Sequence, residues 1–162
     1  MCYRLAGRGV NAGSLTCTSR TTRLRSAAVT DSPPQISVVD YLVLGTDPRL
    51  EANACTGCGA LFFDRRNACA SCGRTQFERR PLATTGVVRS FTIVKRAAPG
   101  VPVPYVSSVV ELDGGGVVKA NLVDIDPEPE KIELGMPVTM TTFTCGTDEN
   151  GTDAVAFGFR PA

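Results

Sequence analysis

The second half of the chain alternates between apolar and polar residues, and this alternation predicts five β-strands. Successive side chains of a strand point to opposite faces, so a period of two is typical of a strand with one buried face. Turn-forming sequences rich in Gly, Asn and Asp separate the apolar runs. The predicted strands cover residues 85–94, 105–112, 116–125, 137–144 and 154–160, and the turns cover residues 113–116, 134–137 and 149–152.

Five short strands in about 75 residues predict a small closed barrel. Closure removes the unpaired edges that an open sheet would expose to solvent. A five-stranded OB-fold barrel is the first choice, and a short β-sandwich is the second.

Two connections of the predicted barrel are candidates for binding, because the corresponding loops border the ligand face of OB-fold barrels. Residues 95–104 include Pro99, Pro102 and Pro104, and proline lacks the N–H that a regular strand needs. We expect a stiff, extended arm at the barrel mouth, with a plain rigid connector as the alternative. Residues 145–153 form the second connection. It begins at Cys145, which we expect to be a buried cysteine at a strand end.

The first half of the chain contains two Cys-x-x-Cys-Gly sequences separated by ten residues. In each, a tight turn points two thiolates at one position, and the Gly after the second Cys permits the backbone geometry of that turn. Two such knuckles place four sulfurs in a tetrahedron, which suits Zn²⁺. The predicted ligands are Cys55, Cys58, Cys69 and Cys72.

Three interpretations of this cluster are open: two disulfides, a rubredoxin-like Fe(Cys)₄ site, or structural zinc. The lack of a secretory signal argues against disulfides, and we expect one structural Zn²⁺. Four thiolates close the coordination sphere, and a closed site does not activate water. The excursion between the knuckles, residues 59–68, is predicted to be a strand, a turn and a returning strand.

The composition excludes several classes of enzyme. The chain of 162 residues contains no His, which excludes a Ser-His-Asp or Cys-His catalytic set and a His general base. Gly and Pro supply 27 of the residues, which favours short strands and many turns over long helices. The sequence contains no apolar run long enough to predict a transmembrane helix.

Basic charge is concentrated near the N-terminus. Residues 1–30 hold five Arg and no acidic residue, whereas residues 31–162 hold 12 basic and 16 acidic residues, a net charge of −4. A body with that charge is a poor match to a polyanion, which argues against a general nucleic-acid binder.

The organisation predicted from these patterns has three parts. Residues 1–35 lack any period, and we expect a disordered leader, a start assigned too far upstream, or a transit peptide. Residues 38–80 form an N-terminal segment and the zinc ribbon, and residues 81–162 form the barrel. The predicted fold is thus mainly β, a rubredoxin-like zinc ribbon followed by a five-stranded OB-fold barrel. We expect a cytoplasmic protein with no membrane association.

The order of the knuckles and the barrel segments resembles the DUF35 family, whose members combine a zinc ribbon with an OB-fold. The resemblance covers residues 38–160. The sequence departs from the family pattern in the leader and in Phe62-Phe63-Asp64, where many members have a proline-containing stretch. The segments that carry the resemblance are residues 50–59, 69–73, 86–92, 103–106, 110–113 and 134–138.

The resemblance implies a non-catalytic accessory subunit of a thiolase-like enzyme, such as a thiolase, a synthase or a retro-aldol lyase. Such a subunit supports the complex and helps to hold acyl-CoA. A single-stranded nucleic-acid binder and a rubredoxin-like electron carrier are the competing hypotheses. We expect the substrate or partner face to include Phe62, Phe63, Phe91, Thr92, Pro104 and Tyr105.

Overall fold

The computed structural model describes residues 33–162. The predictions for residues 1–32 lie outside the described residues. Within these residues, ten strands and one 3₁₀ turn, Pro129–Lys131, make up the regular structure. The strands are β1 (Gln35–Ser37), β2 (Leu42–Val43), β3 (Arg49–Cys55), β4 (Leu61–Phe62), β5 (Phe77–Pro81), β6 (Thr85–Val94), β7 (Tyr105–Leu112), β8 (Val117–Leu122), β9 (Pro137–Thr147) and β10 (Asp153–Pro161).

Strands β6 to β10 form the closed five-stranded barrel that the sequence predicts. The neighbours run in the order β10, β8, β7, β6, β9, and pairing of β9 with β10 closes the circle. Only the β8–β10 pair in this circle is parallel. This topology confirms the OB-fold rather than a sandwich.

The alternation of residues along β7 shows why these segments are strands. Val106, Val110 and Leu112 are buried inside the barrel, while the intervening residues lie on the outer face. Ser108 is buried among them, and its hydroxyl donates a hydrogen bond to the carbonyl oxygen of Ala120 (2.9 Å). The inward polar group is therefore satisfied, and the strand keeps its period.

The ends of two barrel strands differ from the sequence prediction. β8 ends at Leu122 rather than at residue 125, and Asp124 adopts a φ of 55° that a strand does not accommodate. β9 continues to Thr147, where it pairs with Asp153 as part of a hairpin with β10. Cys145 lies in this extension and is exposed, so the prediction of a buried position was wrong.

The ribbon is built around β3, which pairs with β2, β4 and β5. The predicted returning strand within residues 59–68 is absent from this described segment, where only the two-residue β4 forms. The side-chain amide of Asn53 donates to the carbonyl oxygens of Phe63 (3.4 Å) and Asp64 (3.3 Å). These bonds occupy backbone acceptors of the excursion. The long partner of β3 is instead β5, after the second knuckle.

The segment before the ribbon adds a strand to the barrel. β1 pairs in parallel with the first residues of β10, because β8 contacts only the later part of β10. The carbonyl oxygen of Pro34 accepts a hydrogen bond from the N–H of Asp153 (2.8 Å). The leader predicted over residues 1–35 therefore extends too far toward the C-terminus, because Gln35 belongs to β1. The edge of β10 supplies backbone partners that the local sequence does not reveal.

A single cluster of buried side chains continues from the ribbon into the barrel. Leu50 and Ala52 of β3 belong to it together with Leu82, and Phe159 is fully buried at its centre. Burial of each large aliphatic side chain contributes about 1.5–3 kcal/mol. The core crosses the predicted boundary at residues 80 and 81, and that division of the chain stays a prediction. Within residues 33–162 no helix has the length and apolar character needed to cross a bilayer.

Candidate functional site

The two knuckles have the same backbone hydrogen bonds. The N–H of Gly59 donates to the carbonyl oxygen of Cys55 (2.8 Å), and the N–H of Gly73 donates to that of Cys69 (2.9 Å). Both glycines adopt a φ of 74°, a left-handed conformation that a side chain disfavours. The repeated Cys-x-x-Cys-Gly sequence therefore folds into two copies of one turn.

Backbone N–H groups in these turns also point at sulfur. The N–H of Gly57 lies 3.4 Å from Cys55 Sγ, and the N–H of Ser71 lies 3.4 Å from Cys69 Sγ. Such contacts stabilise thiolates, because each N–H places partial positive charge against the anion. The knuckles are thus built to hold ionised sulfur.

The four sulfurs fit a tetrahedral zinc ion. The Sγ atoms of Cys55 and Cys72 are 3.5 Å apart, as are those of Cys58 and Cys69, and all four lie within 4.8 Å of one another. A tetrahedron with Zn–S bonds of about 2.3 Å has sulfur separations of about 3.8 Å. Disulfide sulfurs would be only about 2.05 Å apart. The cluster is therefore a Cys₄ metal site, and it binds one structural Zn²⁺.

The thiol pKa values show why this cluster needs a cation. Hydrogen bonding from the N–H of Gly57 lowers the pKa of Cys55 to about 7. At Cys72 the N–H of Arg74 also favours the thiolate, but the neighbouring thiols of Cys58 and Cys55 outweigh it, and the pKa rises to about 12. Four adjacent thiolates repel one another, and a bound dication offsets that repulsion.

A second feature is a groove on the outer face of β6, β7 and β8, with a volume of about 290 Å³. It lies at the end of the barrel where the proline arm, residues 95–104, connects β6 to β7. This is the face that OB-fold proteins use for ligands. The groove is lined by Ser90, Phe91, Thr92, Val94, Tyr105, Ser107, Ser108, Val109 and Lys119.

We call this groove the barrel groove. Three of the residues predicted for the substrate or partner face line it: Phe91, Thr92 and Tyr105. Thr92 is exposed and Tyr105 is half-buried, and both lie on the outer face of their strands. Phe91 also borders the groove, but its half-buried side chain packs against the core. Pro104 is exposed at the end of the arm and is not among the residues that line the groove.

Phe62 and Phe63 lie outside the barrel groove and have different neighbours. The ring of Phe62 packs edge-on against Phe77 at 6.0 Å, with the guanidinium of Arg66 5.2 Å from its centroid. The ring of Phe63 lies 4.7 Å from that of Tyr41 and lines a separate cavity of about 480 Å³. The structure therefore does not unite the six predicted residues in one site.

Within the predicted arm, sequence reasoning did not single out two exposed apolar residues, and it missed two residues of the barrel groove. Ser107 and Lys119 line it, and the alternation of β7 and β8 already places them on the outer face. Val101 and Val103 of the arm are large apolar residues that are 47% and 43% exposed. Their position in a proline-rich segment indicated this exposure. Such a segment does not pair as a strand, so its side chains have few neighbours that could bury them.

A Cys₄ ribbon joined to a closed five-stranded barrel defines the class of zinc-ribbon OB-fold proteins. Comparison with known families refines this class. Residues 44–78 match the ChsH2 rubredoxin-like zinc ribbon domain, and residues 79–143 match the ChsH2 C-terminal OB-fold domain. The chain belongs to the DUF35 family.

Two individual proteins illustrate the similarity. A DUF35 domain-containing scaffold protein from Pyrococcus furiosus is 36% identical over 116 residues, which cover 70% of this chain and 83% of the relative. A solved structure of an Ltp2-ChsH2(DUF35) aldolase includes a chain with 32% identity and a TM-score of 0.57. That match covers 70% of this chain and 84% of the other.

Proposed function

We propose that the protein is a non-catalytic accessory subunit of a thiolase-fold acyl-CoA enzyme. In this role it stabilises a hetero-oligomer and helps to position acyl-CoA for a thiolase, a synthase or a retro-aldol lyase. The name of the Pyrococcus furiosus relative supports a scaffolding role. The solved aldolase supports an enzyme as the partner, because its description joins a DUF35 chain to Ltp2.

The observation that carries the proposal is the apolar arm beside the barrel groove. Val101 and Val103 expose large apolar side chains, and Tyr105, directly after the arm, lines the groove. An arm with three prolines has few conformations in the free state, so docking costs little conformational entropy. Exposed apolar residues next to an aromatic anchor are typical of a protein interface.

The residues of both candidate sites argue for a supporting role. The zinc site is closed by four thiolates and offers no position for a substrate. The barrel groove is lined by hydroxyls, one ammonium and apolar groups, without a carboxylate, thiol or imidazole to act as a general base. In the proposed complex the partner therefore supplies the catalytic residues.

The ribbon provides a second proposed contact through Phe62 and Phe63. Both rings are half-buried, and each leaves surface that a partner would cover. Arg65 and Arg79 line the cavity beside Phe63, together with Asp40 and Asp64. A mixed set of charges around an aromatic centre is common in interfaces between proteins.

The proposal is tested by co-expression with a thiolase-like enzyme from the same genome, followed by affinity purification and assay. We expect the pair to co-purify, the isolated chain to lack thiolase, lyase and hydratase activity, and the partner's activity to appear or rise in the complex. Val103→Asp and Tyr105→Ala should each weaken association at least about 10-fold, since hot-spot residues contribute about 2 kcal/mol or more.

The matched control is Leu134→Asp. Leu134 is 68% exposed in the turn before β9, near the opposite end of β6 from the arm. It should leave association unchanged. Turnover of an acyl-CoA by the isolated chain, or normal complex formation by both arm variants, would overturn the proposal.

A further inference from the structure

We infer that the barrel groove binds an organic anion, a phosphate or carboxylate attached to an apolar group, with the anion at Lys119. The inference rests on the proposed function for the biological role of the groove, but its chemistry comes from the groove itself. Four features carry it: a gradient of polarity, an unpaired cation, free hydroxyl donors and the absence of acidic residues from the lining.

The polarity of the groove changes along the strands. At the arm end, Val94 of β6 pairs with Tyr105 of β7, which gives an apolar and aromatic surface. Two residues further along, Thr92 pairs with Ser107, and both carry hydroxyls. In the row of paired residues farthest from the arm, Lys119 of β8 lies opposite Val109 of β7. Four residues of strand separate the first and last rows, about 13 Å.

The side chain of Lys119 has no acidic partner among the residues that line this groove. Glu111 lies two residues beyond Val109 on the same face of β7, and it is the neighbouring acidic residue of that strand. Its carboxylate is already engaged by Arg89, at 3.0 Å. Within the part of the chain that the structure describes, Lys119 forms no salt bridge. The Arg89–Glu111 pair thus neutralises itself and leaves the ammonium free for a ligand.

Three hydroxyls are available to support an oxyanion beside Lys119. Ser90, Thr92 and Ser107 form no side-chain hydrogen bond to any residue between 33 and 162, whereas Ser108 already donates to Ala120. A hydroxyl can donate one hydrogen bond, and bonds to a charged acceptor are stronger than neutral ones. The groove therefore offers neutral donors in its middle row and its far row, and one cation, Lys119, in the row farthest from the arm.

The lining is distinctive because the barrel as a whole is acidic. Residues 82–162 contain six basic and ten acidic residues. Six of these acids lie in residues 113–133 and three lie in residues 148–153, all outside the groove lining, and the tenth is Glu111, which Arg89 engages. An acidic barrel whose groove lining holds no carboxylate favours an anion there, because a carboxylate in the lining would repel it.

The test is calorimetric titration of the full-length zinc-loaded protein with three probes of equal chain length: hexyl phosphate, hexanoate and hexanol. We expect hexyl phosphate, hexanoate or both to bind at least 10-fold more tightly than hexanol, since only the anions engage Lys119. The stronger of the two anions identifies the preferred head group. Lys119→Met should weaken binding of that anion at least 10-fold, and Lys119→Arg should retain most of the affinity.

The matched control is Lys131→Met, which removes an exposed ammonium from the 3₁₀ turn outside the groove and should not change the affinity. Absence of anion binding, equal binding of hexanol, or full affinity in Lys119→Met would overturn the inference. Lys119→Met should still co-purify with the partner enzyme. If the anion binds but no enzyme partner forms a complex, the proposed function fails while the inference stands.

Discussion

Individual residues of the metal cluster differ in exposure, although they share one role. Cys55 and Cys69 are buried beneath the knuckles, whereas Cys58 and Cys72 face solvent. Exposed thiols of a cluster are easy to replace without disturbing the core, since no packing contact is lost. Substitution at Cys58 therefore reports on the metal and little else.

Cys58→Ser should reduce the zinc content from about one atom per chain to near zero and lower the melting temperature, because zinc binding is part of the folding free energy. Elemental analysis and a thermal melt measure both effects. Cys145→Ser is the control, since Cys145 is exposed in β9 outside the cluster and should keep its metal. Full zinc retention in Cys58→Ser would contradict the assignment, and a red protein containing iron would favour the electron-carrier hypothesis.

At the scale of elements, β6 organises the barrel because it pairs with β7 on one edge and β9 on the other. Gly86 sits where both pairings meet, opposite Leu112 and Val138. A Cβ at this position would overlap the backbone carbonyl oxygen of Glu111. The glycine is thus required by the close approach of two strands, since its φ is not in the left-handed region.

Gly86→Ala should lower the free energy of unfolding by about 1–3 kcal/mol, the usual cost of overpacking a rigid site. Urea denaturation followed by circular dichroism measures the change. Gly146→Ala in β9 is the matched control, because a Cβ there meets no atom within 4 Å. Equal stability of the two variants would show that β6 and β7 can separate at this point without cost.

At the scale of the whole molecule, the ribbon and the barrel share a core. Leu50 of β3 has no exposed surface and belongs to the same cluster as Val88, Val110 and Phe159 of the barrel. The ribbon therefore does more than hold zinc, since it covers one side of the barrel core. Such sharing favours cooperative unfolding of both parts.

Leu50→Ala should destabilise the protein by about 2–5 kcal/mol, because it leaves a cavity in the shared core. The unfolding transitions of the ribbon and the barrel, followed by metal release and by circular dichroism, should shift together. Ile36→Ala is the control, since Ile36 is 58% exposed on β1 and should change stability little. A barrel transition that stays at its wild-type position would mean that the two parts unfold independently.

The sequence by itself determined the features that depend on local chemistry. Cys-x-x-Cys-Gly specifies a turn through the few residues that form it, so both knuckles and all four ligands were predictable. The period of two along β6 and β7 is equally local, and it marked both strands at their observed bounds. These patterns also carried the family resemblance, because they preserve the order of the same elements.

Only the tertiary structure decided which distant segments meet. The pairing of β1 with β10 joins residues more than one hundred positions apart, and no short pattern encodes it. The barrel groove likewise exists because Thr92, Tyr105 and Lys119 come from three strands whose register sets their rows. Backbone hydrogen bonds between strands are the same for almost any sequence. Which edges pair is therefore settled by burial of the shared core and closure of the barrel, and both are properties of the whole chain.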